Sequence, residues 1–342
     1  MLGAYRTLLA LMVVVQHLAG AHVLGAYAVF GFYCISGYLM TTVINESYGH
    51  SMKGVGRYFL NRFLRIYPLY WLSALLSIVL ILVFSAVETR AFHPDIYLPQ
   101  NVLDSLRNLF IFFPQLESPR LTPPAWALTV ELFFYLLIGF GISKNRTITV
   151  LWFLLSMGYH LFAAISNYGW NDIYFTVWAA SLPFSTGAMI YHFRALMARV
   201  MDVVPKSAYM AVFLFIALPI NWWLASFGGY VRDVGFYINY LICAFTIAYL
   251  VSGSLPLAQF RWIDKRIGDF SYPIYLFHYQ IGFLMMIGMG YLGFAVPRGS
   301  IMLALISIPV IVLIAWLIVK WVESPIMQIR EQIKKGKASF GH

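Results

Sequence analysis

Three side chains stand where an apolar sequence has least use for them: His17, Glu131 and His278, each inside a long hydrophobic run. An ionisable group in hydrocarbon is costly, so by default it marks a site. Two imidazoles and a carboxylate are an inventory for general acid–base chemistry, in which a base takes the proton of an incoming hydroxyl. With an ordinary pKa near 6.5, His17 is the preferred base; Glu131 orients its ring or binds the substrate, and His278 is the rival base. His160 lies in another apolar run without a companion motif and stays outside this set. For any one of these groups the bland alternative is a hydrogen bond between helices. Convergence of three at one depth argues for a site.

That convergence follows from helical geometry. Arg6 and His17 are eleven residues apart, which returns to nearly the same helix face roughly 16 Å deeper. Glu131 falls roughly 10 Å and His278 roughly 12 Å along their own runs, and Ser36 with Gly37 roughly 17 Å below the outer start of theirs. The small pair admits a ligand or another backbone at close range. A second chemistry is suggested by Arg62 and Arg65, three apart just before the third apolar run. Guanidinium groups sharing a helix face suit phosphate oxygens through bidentate, charge-assisted bonds. Ordinary anchoring at an anionic membrane surface is the competing explanation.

The elements that position these residues are membrane helices. Of 342 residues, 61% are hydrophobic and 11% charged, far from the composition of a soluble domain. Ten runs are long enough to span a bilayer, centred on residues 5–22, 25–44, 66–87, 124–142, 148–167, 173–191, 208–226, 233–253, 270–292 and 300–322. The expected fold is therefore an all-α integral membrane protein of about ten transmembrane helices, forming one domain over residues 1–342. Lys and Arg sort by side: 18 of the 23 fall on the face that carries both termini, and five (Arg90, Arg107, Arg120, Arg232 and Arg298) on the other. Positive residues collect on the cytoplasmic side, so both termini are expected there, with an extracytoplasmic loop at about 88–123 and a basic tail at about 323–342.

The net charge of +10 is the surplus expected beside an anionic cytoplasmic leaflet, which excludes nucleic acid as the natural partner. Cys34 and Cys243 give neither a disulfide framework nor a metal-ligand spacing, and no metal or tightly bound cofactor is expected. Gly288, Gly290 and Gly293 match a dinucleotide fingerprint in letters only, because no strand precedes them. The first run, despite Arg6 before it and Ala19, Gly20 and Ala21 after it, is expected to be a retained helix and not a signal peptide.

Five strings in order along the chain are similar to those of the membrane acyltransferase-3 family, which acylates cell-surface polysaccharides and related glycans. They are Arg6 with His17; Phe32-Tyr33-Cys34-Ile35-Ser36-Gly37; Arg62 to Pro68; Trp126-Ala127-Leu128-Thr129-Val130-Glu131-Leu132-Phe133-Phe134-Tyr135, close to the family's W-x-L-x-x-E-x-x-F-Y; and Gly268 to His278. The resemblance implies an essential His17, with Arg6, Arg62 and Arg65 handling the acyl donor; Ser36, from its place in the same layer, is read as a further donor-binding residue. It further implies acyl-CoA, usually acetyl-CoA, as co-substrate arriving from the cytoplasm, a glycan hydroxyl as acceptor, and a bacterial inner membrane as location. The expected activity is O-acylation, most simply O-acetylation, by direct transfer or through an enzyme nucleophile such as His17 or Ser36. The alternative from another class is a transporter or flippase of a lipid-linked glycan, which also uses intramembrane His and Glu and a basic mouth.

Overall fold

The computed structural model describes residues 1–113, 119–205, 207–252 and 261–335. Pro114 and Glu117 of the 88–123 stretch, Lys206, and Lys337 with the rest of the tail from residue 336 lie outside the described residues. In chain order the helices are α1 (Leu2–Ala19), α2 (Leu24–Val43, continued by a π-helical turn over Ile44–Tyr48), α3 (Met52–Phe84), the short α4 (Ala86–Phe92) and α5 (Val102–Phe110), and α6 (Ala125–Gly139). They continue as α7 (Arg146–Ile165), α8 (Trp170–Tyr174), α9 (Val177–His192), α10 (Arg194–Met201), α11 (Ala208–Gly228) and α12 (Val234–Ser252). The last three are α13 (Arg261–Tyr291), α14 (Ile301–Ile318, followed by a π-helical stretch over Val319–Glu323) and α15 (Ser324–Lys334). No strand occurs among the described residues.

Among the described residues, eight helical stretches are long and apolar enough to cross a membrane. The two other runs expected to span are helices of different character. That at 124–142 is α6, apolar but only 15 residues long. That at 270–292 lies in α13, where Ser271, Tyr272, His278 and Gln280 lower its hydropathy. Several helix starts are fixed locally: Asn145, Thr176, Ser207 and Ser300 each accept a hydrogen bond from the backbone N–H three residues on, satisfying a donor that the first helical turn leaves unpaired. The α3 helix begins earlier than expected, so Arg62 and Arg65 lie within it and not before it.

The chain divides into two compact units. The first comprises Met1–Met12, Val23–Phe59 and Phe133–Gly268. Its core is the packing of α2 on α9, and glycine makes the close approach possible. A Cβ on Gly37 would lie 2.1 Å from the Phe184 carbonyl oxygen, and one on Gly187 2.1 Å from that of Cys34. His160 is buried here, with Nδ1 3.0 Å from the Tyr237 hydroxyl and Nε2 3.0 Å from the Ala179 carbonyl. Both ring nitrogens are satisfied, as suits an interhelical hydrogen-bonding group.

The second unit comprises Val13–His22, Leu60–Leu132 and Asp269–His342. The stretch read as an outer loop is organised here around α4 and α5 and runs back along α3. The carbonyls of Leu109 and Phe110 at the end of α5 accept from Trp71 Nε1 (3.0 Å) and the Tyr67 hydroxyl (2.9 Å). Tyr67 lies roughly 25 Å along α3 from its Phe84 end at 1.5 Å per residue. Leu103, Leu106 and Phe110 of α5 are exposed, whereas Asp104 and Asn108 are buried, the inverse of a helix that lies on a protein surface in water. Gln280 of α13 contacts the Ser73 and Ser77 hydroxyls of α3 at 2.9 Å each; with its amide oxygen toward them, its nitrogen meets the Leu276 and Phe277 carbonyls.

Candidate active site

The last turn of α1 carries His17, and the middle of α13 carries His278 followed by Tyr279, all in the second unit. The two imidazoles are stacked, with centroids 5.3 Å apart and planes 20° from parallel. Tyr279 sits against both, at 4.9 Å from the ring of His17 and 4.5 Å from that of His278. Its hydroxyl is 2.7 Å from His17 Nδ1. His278 Nδ1 is 2.8 Å from the Tyr275 carbonyl oxygen, and its Nε2 is buried without a hydrogen-bond partner. An unsatisfied buried nitrogen is an exception that calls for a cause.

The chain end of α1 is built to hold His17 in place. Gly20, at φ 77°, ends the helix in the left-handed conformation that glycine adopts without a Cβ penalty. A helix leaves its last carbonyls unpaired, and here the α13–α14 connection supplies donors: Arg298 Nε to the His17 carbonyl at 3.2 Å and the Gly299 N–H to that of Leu18 at 2.9 Å. Arg298 also donates to the carbonyl of Phe92, the last residue of α4, at 2.6 Å. One guanidinium thus serves two helix C-termini, where positive charge is favoured by the aligned peptide dipoles. It also lies over the rings of Tyr279 and Phe92, at 5.4 and 5.6 Å, a cation–π geometry.

Next to this ring cluster, the segment after α4 contributes a charged group. The His93 ring is edge-on to Tyr279 at 4.8 Å, and the Asp95 N–H donates to His93 Nδ1 at 3.3 Å. Asp95 forms an ion pair with Arg120. Burial, together with the nearby Arg298 and Arg120 charges, pulls the His93 pKa down to about 3, so the ring is neutral. Burial raises the Asp95 carboxyl against the opposing pull of Arg120.

Of the residues singled out from sequence, the structure brings His17 and His278 together. Glu131 is partly buried in α6, and the bonds that hold the two histidines do not run to it. Arg62 donates to Asn61 Oδ1 at 2.6 Å, an oxygen also bonded by Arg330 at 3.3 Å. Arg65 is ion-paired with the buried Glu323 and lies over the Tyr272 ring at 5.5 Å. Arg6 and Ser36 belong to the first unit, both partly buried. Beside Ser36, the alternatives open for Gly37 resolve to a backbone contact, that of α9. Sequence reasoning missed Tyr279, His93 and Arg298. The one available signal was Arg298, a basic residue on the face where basic residues are sparse.

The arrangement offers two imidazoles for proton transfer, one of them with an unsatisfied buried nitrogen, beside a phenol. No group of three or more metal-ligating side chains occurs among the described residues. A family model described as an acyltransferase domain matches residues 2–320. No curated protein and no solved structure matches the chain.

Proposed function

Since the chain belongs to the acyltransferase family whose model spans residues 2–320, we propose that it is an integral membrane O-acyltransferase moving an acyl group, most simply acetyl, from acyl-CoA to a hydroxyl of a glycan. The observation that supports this most strongly is the stacked His17–His278 pair with Tyr279 against both rings. Acyl transfer from a thioester needs a base for the incoming O–H and a donor for the oxygen that becomes negative. The pair supplies the nitrogens for both.

In this reading α6 and the apolar part of α13 complete a set of ten spans, with both termini in the cytoplasm of a bacterial inner membrane. Coenzyme A enters from that side. Its phosphates meet Arg62 and Arg65, with Glu323 as the charge that holds Arg65 in position until the donor arrives. Glu131 keeps its role beside His17 or at the acceptor, Arg6 the donor-handling role that the family resemblance implies, and Ser36 its expected place beside the donor.

The test is release of coenzyme A thiol from acetyl-CoA by purified protein in nanodiscs with candidate glycan acceptors. Cys34 and Cys243 are buried, which favours a thiol reagent as readout. Wild type is expected to turn over, His17→Ala to lose about 10²–10⁴-fold in rate, and Arg62→Ala to raise KM for the donor more than it lowers kcat. Donor binding and turnover absent for every acyl-CoA and acceptor tried would sink the reading and return the chain to glycan translocation.

A further inference from the structure

The two imidazoles are wired differently, and the difference separates their roles. A carbonyl oxygen can only accept, so His278 Nδ1 carries a proton toward Tyr275 and Nε2 of the neutral ring is a bare lone pair. That lone pair is buried with no partner; what it lacks is a donor, such as a hydroxyl. His17 Nδ1 faces instead a phenol hydroxyl at 2.7 Å. Tyr279 is 2% exposed, and among the described residues this nitrogen is the one hydrogen-bond partner of its hydroxyl, so the hydroxyl hydrogen has no other acceptor. The hydroxyl therefore donates to Nδ1, and the ring proton of neutral His17 sits on Nε2. One ring ends in an acceptor and the other in a donor, stacked 5.3 Å apart.

Resting on the acyltransferase reading, we infer that His278 is the general base toward the acceptor hydroxyl, while His17, set in its tautomer by the positioning residue Tyr279, is the donor that polarises the acyl carbonyl. The assignment reverses the roles that type and spacing suggested. The step balances. The acceptor O–H gives its proton to His278 Nε2 as its oxygen bonds to the thioester carbon, and the carbonyl π pair moves to an oxyanion held by His17 Nε2–H. Collapse restores the carbonyl and breaks the C–S bond, and the imidazolium of His278 returns the proton to the departing sulfur. Ester and free thiol leave, and both rings regain their starting tautomers.

The experiment uses purified full-length protein in nanodiscs with acetyl-CoA and two acceptor probes: methyl glucoside, whose hydroxyl must lose a proton, and hydroxylamine, which attacks as a neutral amine. The variants are His278→Gln, His17→Gln, His17→Phe and Tyr279→Phe, each checked for an unchanged thermal transition. His278→Gln is expected to lose about 10²-fold or more with the glucoside and to stay within about tenfold of wild type with hydroxylamine. His17→Gln, which keeps an N–H, is expected within about tenfold of wild type, whereas His17→Phe loses about 10²–10³-fold with both probes. Tyr279→Phe is expected to lower kcat with KM for acetyl-CoA unchanged.

The assignment fails if His17→Gln is as inactive as His17→Phe and hydroxylamine restores His17→Phe, for then His17 is the base. It also fails if hydroxylamine gives His278→Gln no advantage over the glucoside. Wild-type turnover separates the two levels: a wild type silent with both probes takes down the acyltransferase reading with this one, whereas an active wild type with the opposite ranking overturns the assignment alone.

Discussion

At the scale of single residues, His93 offers a measurement that needs no substrate. Its ring stays neutral in the folded protein down to about pH 3, because it is buried beside Arg298 and Arg120. In the unfolded chain a histidine takes up its proton near pH 6.5. Between those values the unfolded state binds the extra proton, so stability from this group is complete above about pH 6.5 and falls as pH falls toward 3. Wild type is therefore expected to lose more of its Tm between pH 7 and 5 than His93→Gln does; equal losses would contradict the assignment. His17 and His278 were legible in the sequence because an imidazole in an apolar run is conspicuous. Tyr279 was not, because a tyrosine is at home in a membrane helix and only its contact through space gives it a task. His93 and Arg298 were hidden for another reason: they lie in connections, where no periodicity relates one residue to another.

At the scale of helices, the apolar runs could be read directly, since hydrocarbon selects for length and composition. Their ends could not. The α3 helix extends from Met52 through a stretch rich in Arg and Lys, where polar residues ended the hydropathy signal without ending the hydrogen-bond ladder. The return of α5 along α3 was equally hidden, because its anchors are carbonyls bonded by Tyr67 and Trp71, which leave no mark in composition. The glycines of α2 and α9 make a sharper forecast. Adding one methyl at Gly37 or Gly187 drives a Cβ into a facing carbonyl at 2.1 Å, and overpacking of this kind costs about 1–3 kcal/mol. Gly37→Ala and Gly187→Ala should each lower Tm in detergent, whereas Gly288→Ala, with open space around it, should not. Equal effects at all three positions would show that the α2–α9 contact is looser than described.

At the scale of the whole molecule, membership of the family and the multi-pass character rest on features spread along the chain, which is why both were accessible from sequence. Sidedness rests on the 18-to-5 partition of basic residues, and it can be tested without any knowledge of chemistry. A phosphatase fused after Lys335 should be inactive in cells and a fluorescent protein fused there bright; the same phosphatase inserted after Pro99 should be active. The reverse pattern would invert the protein and move the proposed donor mouth to the outside. A last consequence concerns time. His17 precedes by 281 residues the Arg298 that, with Gly299, closes the final turn of its helix. The α1 helix must therefore wait in the membrane, its terminal carbonyls unclaimed by this strap, until the chain has been extended by those 281 residues. Non-local closure of this kind slows folding. The anchorage of His17 is then gained only once the α13–α14 connection has been made, so a nascent chain stalled before Arg298 would hold the histidine without it.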